Sequence, residues 1–388
     1  MQSQELKATA SLAAVFSVRL LGLFMVYPVF AAYAGGLPGA NPYLVGEALG
    51  IYGLTQGLLQ IPFGLLSDRF GRKPMIVIGL LMFAAGSVVA ALSTSISGII
   101  VGRALQGAGA VGAVILALVA DLTSEQGRTR AMAAVGITIG ASFLLALVTG
   151  PIAASLVGVG GLFWLMAVLG VAGIAITVFL VPDPPRLEVH RDAEAVPAFF
   201  GSVLRNRELL PLDVGIFSLH AILTAMFLVV PGLLRETLAI EPRNDWLIYL
   251  PVLLVSVAVM GVAVVFGEKR GHAGVVFVGA IVALAISNIL LLMGAGHAVV
   301  LLAALVIFFS AFNVLEANLP SLVSKAAPRE AKGTALGVYS SLQFLGIFAG
   351  GAAGGWADQQ WGVSGVLALT MALVLLWLIV MLVLRPTR

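Results

Sequence analysis

The sequence contains no cysteine and few charged residues. Of its 388 residues, 10% are Asp, Glu, Lys or Arg, whereas a soluble domain carries about 25%. The absence of cysteine excludes disulfides and thiolate metal sites. The shortage of charge excludes a soluble protein of this length, because too few polar side chains remain to cover a water-facing surface. No G-x-x-x-x-G-K-[ST] loop is present, so direct ATP hydrolysis has no site.

Long apolar runs take the place of the missing charge. Hydrophobic residues make up 60% of the chain, and they fall into runs of about 20, enough for a helix to cross about 30 Å of hydrocarbon. A helix suits lipid because its backbone hydrogen bonds are satisfied within the segment. We predict twelve transmembrane spans, at 10–34, 46–67, 74–94, 97–120, 132–157, 162–182, 210–233, 246–266, 273–294, 297–323, 335–357 and 362–384.

The basic residues predict the orientation of these spans. Lys and Arg are enriched in cytoplasmic loops, and a cytoplasmic N-terminus places 17 of the 21 basic residues on that side. The opposite side holds only Arg235 and Arg243, and two arginines lie inside spans. We therefore predict a multi-pass protein of the bacterial inner membrane with both termini in the cytoplasm. The 17 are Lys7, Arg69, Arg72, Lys73, Arg128, Arg130, Arg186, Arg191, Arg205, Arg207, Lys269, Arg270, Lys325, Arg329, Lys332, Arg385 and Arg388.

One charged stretch with three prolines, 183–208, separates the predicted spans into two groups of six. The fold class that follows is an all-α membrane protein with twelve transmembrane helices in two pseudo-symmetric six-helix bundles. We expect an N-terminal bundle at 1–182, a cytoplasmic linker at 183–208 and a C-terminal bundle at 209–388. Part of the linker either lies in the membrane interface or is a solvated tether.

The segment GLLSDRFGRKP, residues 64–74, lies between the second and third predicted spans. Its glycines allow close helix contact and a tight turn, and its basic residues hold the loop on the cytoplasmic side. This order of residues resembles the signature loop of the major facilitator superfamily, with Ser67 as a weak departure. The resemblance implies that Asp68 and Arg72 pair with Asp121 and hold a cytoplasmic gate closed; ordinary capping at the interface is the alternative. The residues that carry the match are Gly64, Asp68, Arg69, Gly71, Arg72 and Lys73.

Three further motifs extend the resemblance, and two of them indicate a subfamily. IVGRALQGAG in the fourth span resembles a superfamily motif whose arginine, here Arg103, is linked to proton transfer in related carriers; a structural arginine is the alternative. LGLFMVYPV, with Pro28, resembles a pattern of the twelve-span drug/proton antiporters. Gly150 and Pro151 match part of an antiporter motif, whose flanking glycines are replaced here. Some similar transporters continue into a soluble C-terminal domain; this sequence stops at Arg388, so we expect no regulation by such a domain.

Few ionisable residues fall deep within spans, and these are the candidates for coupling or substrate binding. A lone carboxylate in hydrocarbon is costly when charged and neutral when protonated, which suits Glu316 to proton coupling. Asn313 lies one helical turn before it. Glu316 and His220 also have a structural alternative, as hydrogen-bonded residues of the bundle. Arg19 could neutralise an acidic partner or contact an anion, and Asp213 is expected near a span end, in contact with water.

The function predicted from these features is secondary transport, not catalysis. We expect a proton-coupled antiporter that exports small lipophilic compounds by alternating access. The proton gradient supplies the energy, and no cofactor or metal is expected. Its partners are a small-molecule substrate, protons and membrane lipids, not nucleic acid, and the chain is expected to be a monomer. The alternative is proton-coupled uptake of a specific nutrient or metal, although the clustered ligands of a copper importer are absent.

Overall fold

The computed structural model describes residues 3–183, 195–241, 244–269, 271–294 and 296–384. All regular structure in these ranges is helical. Arg243 and five of the basic residues placed on the cytoplasmic side lie outside them: Arg186, Arg191, Arg270, Arg385 and Arg388.

Thirteen α-helices of very different length make up the described fold. Ten elements are long and apolar enough to cross a membrane, as expected from the hydrophobic runs, so the chain is a multi-pass membrane protein. The α-helices are α1 Ser3–Phe24, α2 Tyr27–Gly35, α3 Pro42–Phe70, α4 Arg72–Leu92, α5 Ile96–Ala108, α6 Gly112–Asp121, α7 Glu125–Phe179, α8 Phe200–Leu204, α9 Leu210–Leu238, α10 Trp246–Lys269, α11 Ala273–Met293, α12 Ala298–Ala326 and α13 Lys332–Val383. Short 3₁₀ turns occur at Pro197–Phe199 and Arg329–Ala331.

Two of these helices are too long for one crossing. α7 has 55 residues and α13 has 52, or about 80 Å each at 1.5 Å per residue, against about 30 Å of hydrocarbon. Each contains one glycine with non-helical dihedral angles: Gly158 (φ 71°) and Gly362 (φ 62°). Side chains rarely adopt a positive φ, so glycine allows the chain to bend here. Gly158 lies between the predicted spans 132–157 and 162–182, and Gly362 is the first residue of the last predicted span.

Two other spans are interrupted rather than merged. α1 and α2 are separated at Met25 and Val26, and α5 and α6 are separated at 109–111. Backbone bonds from Met25 and Val29 to carbonyls one turn earlier keep the first break continuous. Gly150 of α7 approaches the backbone of Met25 so closely that a Cβ would collide with it. The first break is therefore covered by the glycine of the partial antiporter motif.

A seam of small residues joins the N-terminal part of the chain to the C-terminal part. α13 packs along both α3 and α9. A Cβ at Gly46 or Gly53 of α3 would collide with the backbone of α13 at Gly351 or Phe344. Small residues let helix backbones approach closely, which gives dispersion contacts that lipid cannot replace. We call the end of the bundle where α3 meets α4, α6 meets α7 and α12 meets α13 the basic end.

The described part of the linker folds back onto α13. Thr334 Oγ1 accepts a hydrogen bond from the backbone N–H of Val196 (2.9 Å). Val203 of α8 is buried, whereas Leu204 beside it is exposed. Residues 195–208 therefore pack against the C-terminal part of the bundle at the basic end, and the remainder of the predicted linker up to 194 lies outside the described residues.

Candidate transport and gating sites

The signature loop at the basic end forms one polar network, in which Arg72 and Asp121 are buried and Asp68 is partly exposed. Arg72 donates from Nη1 to Asp68 Oδ1 and to Ser67 Oγ (2.6 Å), and from Nε to Asp121 Oδ2 (3.0 Å). The side chains of Arg72 and Asp121 are 2% and 0% exposed. We call Ser67, Asp68, Arg72 and Asp121 the motif network. It joins the ends of α3, α4 and α6, the contact that the motif predicts; its part in gating remains a prediction.

The other loop residues hold the turn in place around that network. Gly71 adopts φ 94° between α3 and α4, which glycine does at little cost. Lys73 donates to the carbonyl of Val181 (2.9 Å) and pairs with Asp183 (2.9 Å). Arg69 lies over the ring of Phe70, 5.5 Å from its centroid. The end of α7 is thereby held against the start of α4.

Gly64 leaves more space than the motif led us to expect. The nearest atom that a Cβ at Gly64 would meet is the Ala113 Cβ, at 3.7 Å. That is an ordinary van der Waals separation. In this conformation the helix contact at Gly64 is therefore not tight enough to require glycine.

Arg103 is fully buried in α5 and makes hydrogen bonds in two directions. Its Nη1 donates to Gln106 Oε1 (3.0 Å) and its Nη2 to the carbonyl of Leu49 (3.4 Å). Gln106 in turn donates to Ser87 Oγ (2.8 Å). The guanidinium lies 5.0 Å from the centroid of the Tyr52 ring, within range of a cation–π interaction. No carboxylate of the described chain forms an ion pair with Arg103.

Arg19 of α1 approaches the same tyrosine. Its guanidinium lies 5.8 Å from the Tyr52 centroid, and the residue is 1% exposed. Its Nε and Nη2 have no hydrogen-bond partner within the described ranges. The neighbour that the sequence left unidentified is thus an aromatic ring and not an acid.

Glu316 and His220 meet through a glutamine. Gln343 of α13 donates from Nε2 to Glu316 Oε1 (3.2 Å) and to His220 Nε2 (2.9 Å). His220 Nδ1 lies 3.3 Å from the carbonyl of Ile216, so the tautomer that satisfies both contacts is neutral and carries its hydrogen on Nδ1. Glu316 Oε2 lies 3.9 Å from His220 Nε2 and has no hydrogen-bond partner in the described part of the chain. The carboxylate therefore has one neutral donor and one unmet oxygen.

This site lies where the two parts of the chain meet. Phe312, one turn before Glu316, contacts His220 (5.7 Å between ring centroids) and stacks on Phe143 of α7 (5.7 Å). Asn313 turns away from the carboxylate and donates to Ser256 Oγ (2.9 Å) on α10. Asn313 therefore fixes α12 against α10 and is not hydrogen-bonded to Glu316.

The expectation that Asp213 is solvated is wrong. The residue is 5% exposed, and its Oδ1 has no hydrogen-bond partner among the described residues. It lies in the first turn of α9, next to Pro211, so the sequence placed it correctly near a helix end. The neighbouring helices cover that end, and α9 is buried along most of its length.

An ion pair at the opposite end of the bundle connects the first break to α9. Arg235 donates to Asp245 Oδ2 from Nη2 (2.7 Å) and Nε (3.2 Å), and to the carbonyl of Pro28 (3.3 Å). Burial raises the pKa of Asp245, and the hydrogen bond and charge of Arg235 oppose that rise. Pro28 lies in the first turn of α2. Pro28 therefore begins the second half of the broken helix and offers its carbonyl to the C-terminal half of the chain; Pro151 lies within α7 beside Gly150.

Comparison with known proteins decides the family. The model of the Major Facilitator Superfamily matches residues 12–351. The chain belongs to this superfamily. It is 45% identical to the inner membrane transport protein YajR of Escherichia coli (strain K12) over 97% of this chain and 83% of YajR. It is also 35% identical to an uncharacterized transporter of Buchnera aphidicola subsp. Acyrthosiphon pisum, over 89% of each chain.

A solved superfamily structure supports the fold. The nucleoside transporter NupG, in the form of a point mutant, aligns with a TM-score of 0.76 at 13% identity, covering 97% of this chain and 100% of NupG. At that identity the likeness shows the all-helical superfamily fold alone. Because the chain is a superfamily member and its relatives are transporters, it is a transporter and not an enzyme.

Three residues that contribute to the sites described above were not predicted from the sequence: Tyr52, Gln343 and Asp245. Tyr52 and Gln343 lie inside apolar spans, where polar side chains are uncommon and often functional. Counting amides and phenols together with charges would have found both. Asp245 gives no such signal, because it lies in a short polar connection where a carboxylate is ordinary.

Proposed function

We propose that the chain is a proton-coupled antiporter of the bacterial inner membrane that exports small lipophilic compounds by alternating access. In this proposal the proton gradient is its energy source, it binds no cofactor, and it works as a monomer with both termini in the cytoplasm. The observation that carries the proposal is the Glu316 site, with its carboxylate next to neutral Gln343 and His220 at the meeting of the two parts of the chain.

A twelve-crossing topology is consistent with the described helices. If α7 turns at Gly158 and α13 turns at Gly362, each contributes two crossings, and the ten long elements then supply twelve. Six fall before residue 183 and six after 208, which agrees with the proposed two bundles joined by a linker. Rocking of two such bundles around a central site is the usual form of alternating access.

The surroundings of Glu316 suit a proton carrier. The His220 ring donates to Ile216, so it meets Glu316 with an acceptor nitrogen and brings no positive charge in this tautomer. Unlike an ion-paired carboxylate, Glu316 has no cation to keep it deprotonated in the described surroundings. A carboxylate that is costly when charged and neutral when protonated can alternate between these forms as the protein changes conformation.

The aromatic rings between the two parts of the chain favour a lipophilic substrate. Tyr27 contacts Phe227 (5.3 Å between centroids), and Phe143 stacks on Phe312. Rings from both parts would separate as the bundles rock, and apolar surface of this kind binds an apolar molecule. We propose that the motif network stabilises the state closed at the basic end, as a two-state element.

Proton flux tests this function directly. The purified protein is reconstituted into vesicles that contain a pH-sensitive dye, and lipophilic compounds in cationic, neutral and anionic forms are added one at a time. At least one compound should drive proton movement with the wild type, and Glu316→Gln should reduce that movement to the level of protein-free vesicles. The sign of the pH change distinguishes antiport from uptake together with protons.

Glu236→Gln is the matched control, because Glu236 is exposed on α9 and the same charge is removed. It should move protons like the wild type. Proton movement by Glu316→Gln at the wild-type rate would assign Glu316 a structural role. If no compound drives proton movement through the wild type, the proposal of proton coupling is wrong.

A further inference from the structure

Two buried arginines converge on one aromatic ring in the N-terminal part of the chain. Arg19 comes from α1 and Arg103 from α5, and their guanidinium carbons lie 5.8 Å and 5.0 Å from the centroid of Tyr52 on α3. The two residues are 1% and 0% exposed. Two full positive charges thus lie beside a single ring in the interior of the bundle, since arginine stays protonated in proteins.

No acid neutralises this pair within the described residues. Arg103 has two neutral acceptors, and its Nε has none. Arg19 has neither an ion pair nor a hydrogen bond at Nε and Nη2. The Tyr52 ring supplies a cation–π attraction to both groups, which does not neutralise their charge. Buried charges are ordinarily paired and buried donors ordinarily bonded, so the site lacks a negative charge and lacks acceptors for Arg19 Nε, Arg19 Nη2 and Arg103 Nε.

One ligand supplies both. We propose that Arg19 and Arg103 bind the anionic head group of an amphipathic organic anion, and that such anions are the substrate class of this transporter. A carboxylate accepts two parallel hydrogen bonds from the guanidinium fork. A water molecule could satisfy the donors, and it would leave two like charges unneutralised. This inference rests on the proposed transport function and specifies its substrate.

The surroundings fit the remainder of such a molecule. Gln56 and Gln60 follow Tyr52 at intervals of four residues along α3, both buried, and Gln56 Oε1 has no described partner. Tyr27 lies within electrostatic range of Arg103, and its ring contacts Phe227 of the C-terminal part. The charged head would therefore face the arginines, and the apolar body would lie among the rings between the bundles.

Paired probes that differ only in charge test the site at equilibrium, without a proton gradient. Benzoate and benzamide, naphthylacetate and naphthylacetamide, and pyrenebutyrate and pyrenebutyramide are titrated against the purified full chain while its Tm is measured. A ligand that binds the folded state raises the Tm with concentration. At least one carboxylate should raise the wild-type Tm more than its amide does. Arg19→Gln and Arg103→Gln should each weaken that carboxylate's apparent affinity at least about tenfold.

Two control variants distinguish loss of binding from loss of folding. Arg19→Lys retains the positive charge without the planar fork, and it should give an affinity between those of the wild type and Arg19→Gln. Arg207→Gln removes an exposed arginine and should bind like the wild type. If no carboxylate surpasses its amide, or if neither arginine substitution changes the difference, the anion site does not exist.

The binding and flux experiments can fail independently of each other. A carboxylate preference that depends on Arg19, in a protein that moves no protons, would support the anion site and contradict proton-coupled transport. Proton flux with neutral or cationic compounds, without any carboxylate preference, would support the transport function and contradict the anion site.

Discussion

The two parts of the chain place opposite charges inside the bundle. The arginines of the N-terminal part are 1% and 0% exposed, whereas in the C-terminal part Asp213 is 5% exposed and the Glu316 side chain is 32% exposed. In the N-terminal part, Arg19 and Arg103 flank Tyr52 without an acid in ion-pair range among the described residues. In the C-terminal part, Glu316 and Asp213 are held by neutral groups or by none. An arginine keeps its charge at any pH that a cell experiences, whereas a carboxylate can lose its charge to a proton. One part therefore carries a constant charge and the other a charge that can change.

This division assigns different work to the two parts. A constant positive charge suits the binding of an anion or the orientation of a substrate, because it does not depend on the proton gradient. A carboxylate without a cationic partner suits the coupling of conformation to a proton. The proposed transport cycle uses both, and the seam of small residues between α3 and α13 joins the two parts.

Among the substitutions that test this contrast, Arg103→Gln in the N-terminal part should reduce transport most. It removes the hydrogen bonds to Gln106 and Leu49, each worth about 1.5–3 kcal/mol for a charged donor, so transport should fall at least about 100-fold. Initial rates in vesicles, with whichever compound gives the largest wild-type flux, measure the loss. Arg103→Lys should recover little of it, because an ammonium is a point charge. Full activity of the lysine variant would show that charge alone is needed.

Gln343→Leu should affect the C-terminal side next most strongly. It removes the amide that donates to both Glu316 and His220, and one charge-assisted bond of about 1.5–3 kcal/mol corresponds to a loss of roughly tenfold or more in rate. The same flux assay measures it. Gln360→Leu, at an exposed position of the same helix, is the control and should be neutral. Equal rates for wild type and Gln343→Leu would mean that the amide only fills space.

These two residues show how far the sequence could be read. Arg103 stands out because a charge inside an apolar run is rare, and the hydropathy predicted apolar runs that match all ten long elements. The bend at Gly158 lies between two predicted spans, whereas the bend at Gly362 lies at the first residue of one. The contact between Arg72 and Asp121 followed from the motif. Gln343 did not stand out, because its role depends on the packing of α13 against α9 and α12. Contacts between helices that are distant in the chain leave no periodic signal in one sequence. Asp213 was misjudged for the same reason: burial at a helix end depends on the neighbours that cover it.

Asp121→Asn should open the basic end more often and so raise the rate at which a cysteine there is labelled by several-fold. Asp68→Asn should raise that rate by less. Asp121 is fully buried, whereas the Asp68 side chain is 34% exposed, and exposed ion pairs contribute about 0.2–1 kcal/mol. Since the chain has no cysteine, Gly337→Cys supplies a unique reporter; a Cβ there would touch Ala195 and Ile61 at ordinary distances of 3.5 and 3.9 Å. The rate of maleimide labelling measures opening. Labelling that neither aspartate substitution accelerates would contradict the gating role.

Asp245→Asn should have the smallest effect on transport, because the ion pair with Arg235 lies at the end of the bundle opposite the motif network. The pair is largely buried (16% and 1% exposed), so we expect a loss of stability of about 1–3 kcal/mol at neutral pH. Burial raises the pKa of Asp245, and the ion pair opposes that rise. The raised pKa of Asp245 means that its contribution to stability falls as pH rises above the ordinary range of an aspartate. The Tm of the wild type relative to Asp245→Asn should therefore be higher at about pH 5 than at about pH 7. The opposite trend would show that the ion pair outweighs burial.

If Glu316 carries the coupled proton, its neutral variant should separate two transport modes that differ in their need for that proton. Vesicles containing Glu316→Gln are assayed for counterflow, the exchange of labelled for unlabelled compound, and for accumulation driven by an imposed pH gradient. Counterflow needs substrate movement alone, whereas accumulation needs the proton. The account predicts that Glu316→Gln keeps counterflow and loses pH-driven accumulation. Accumulation at the wild-type level by this variant would contradict it.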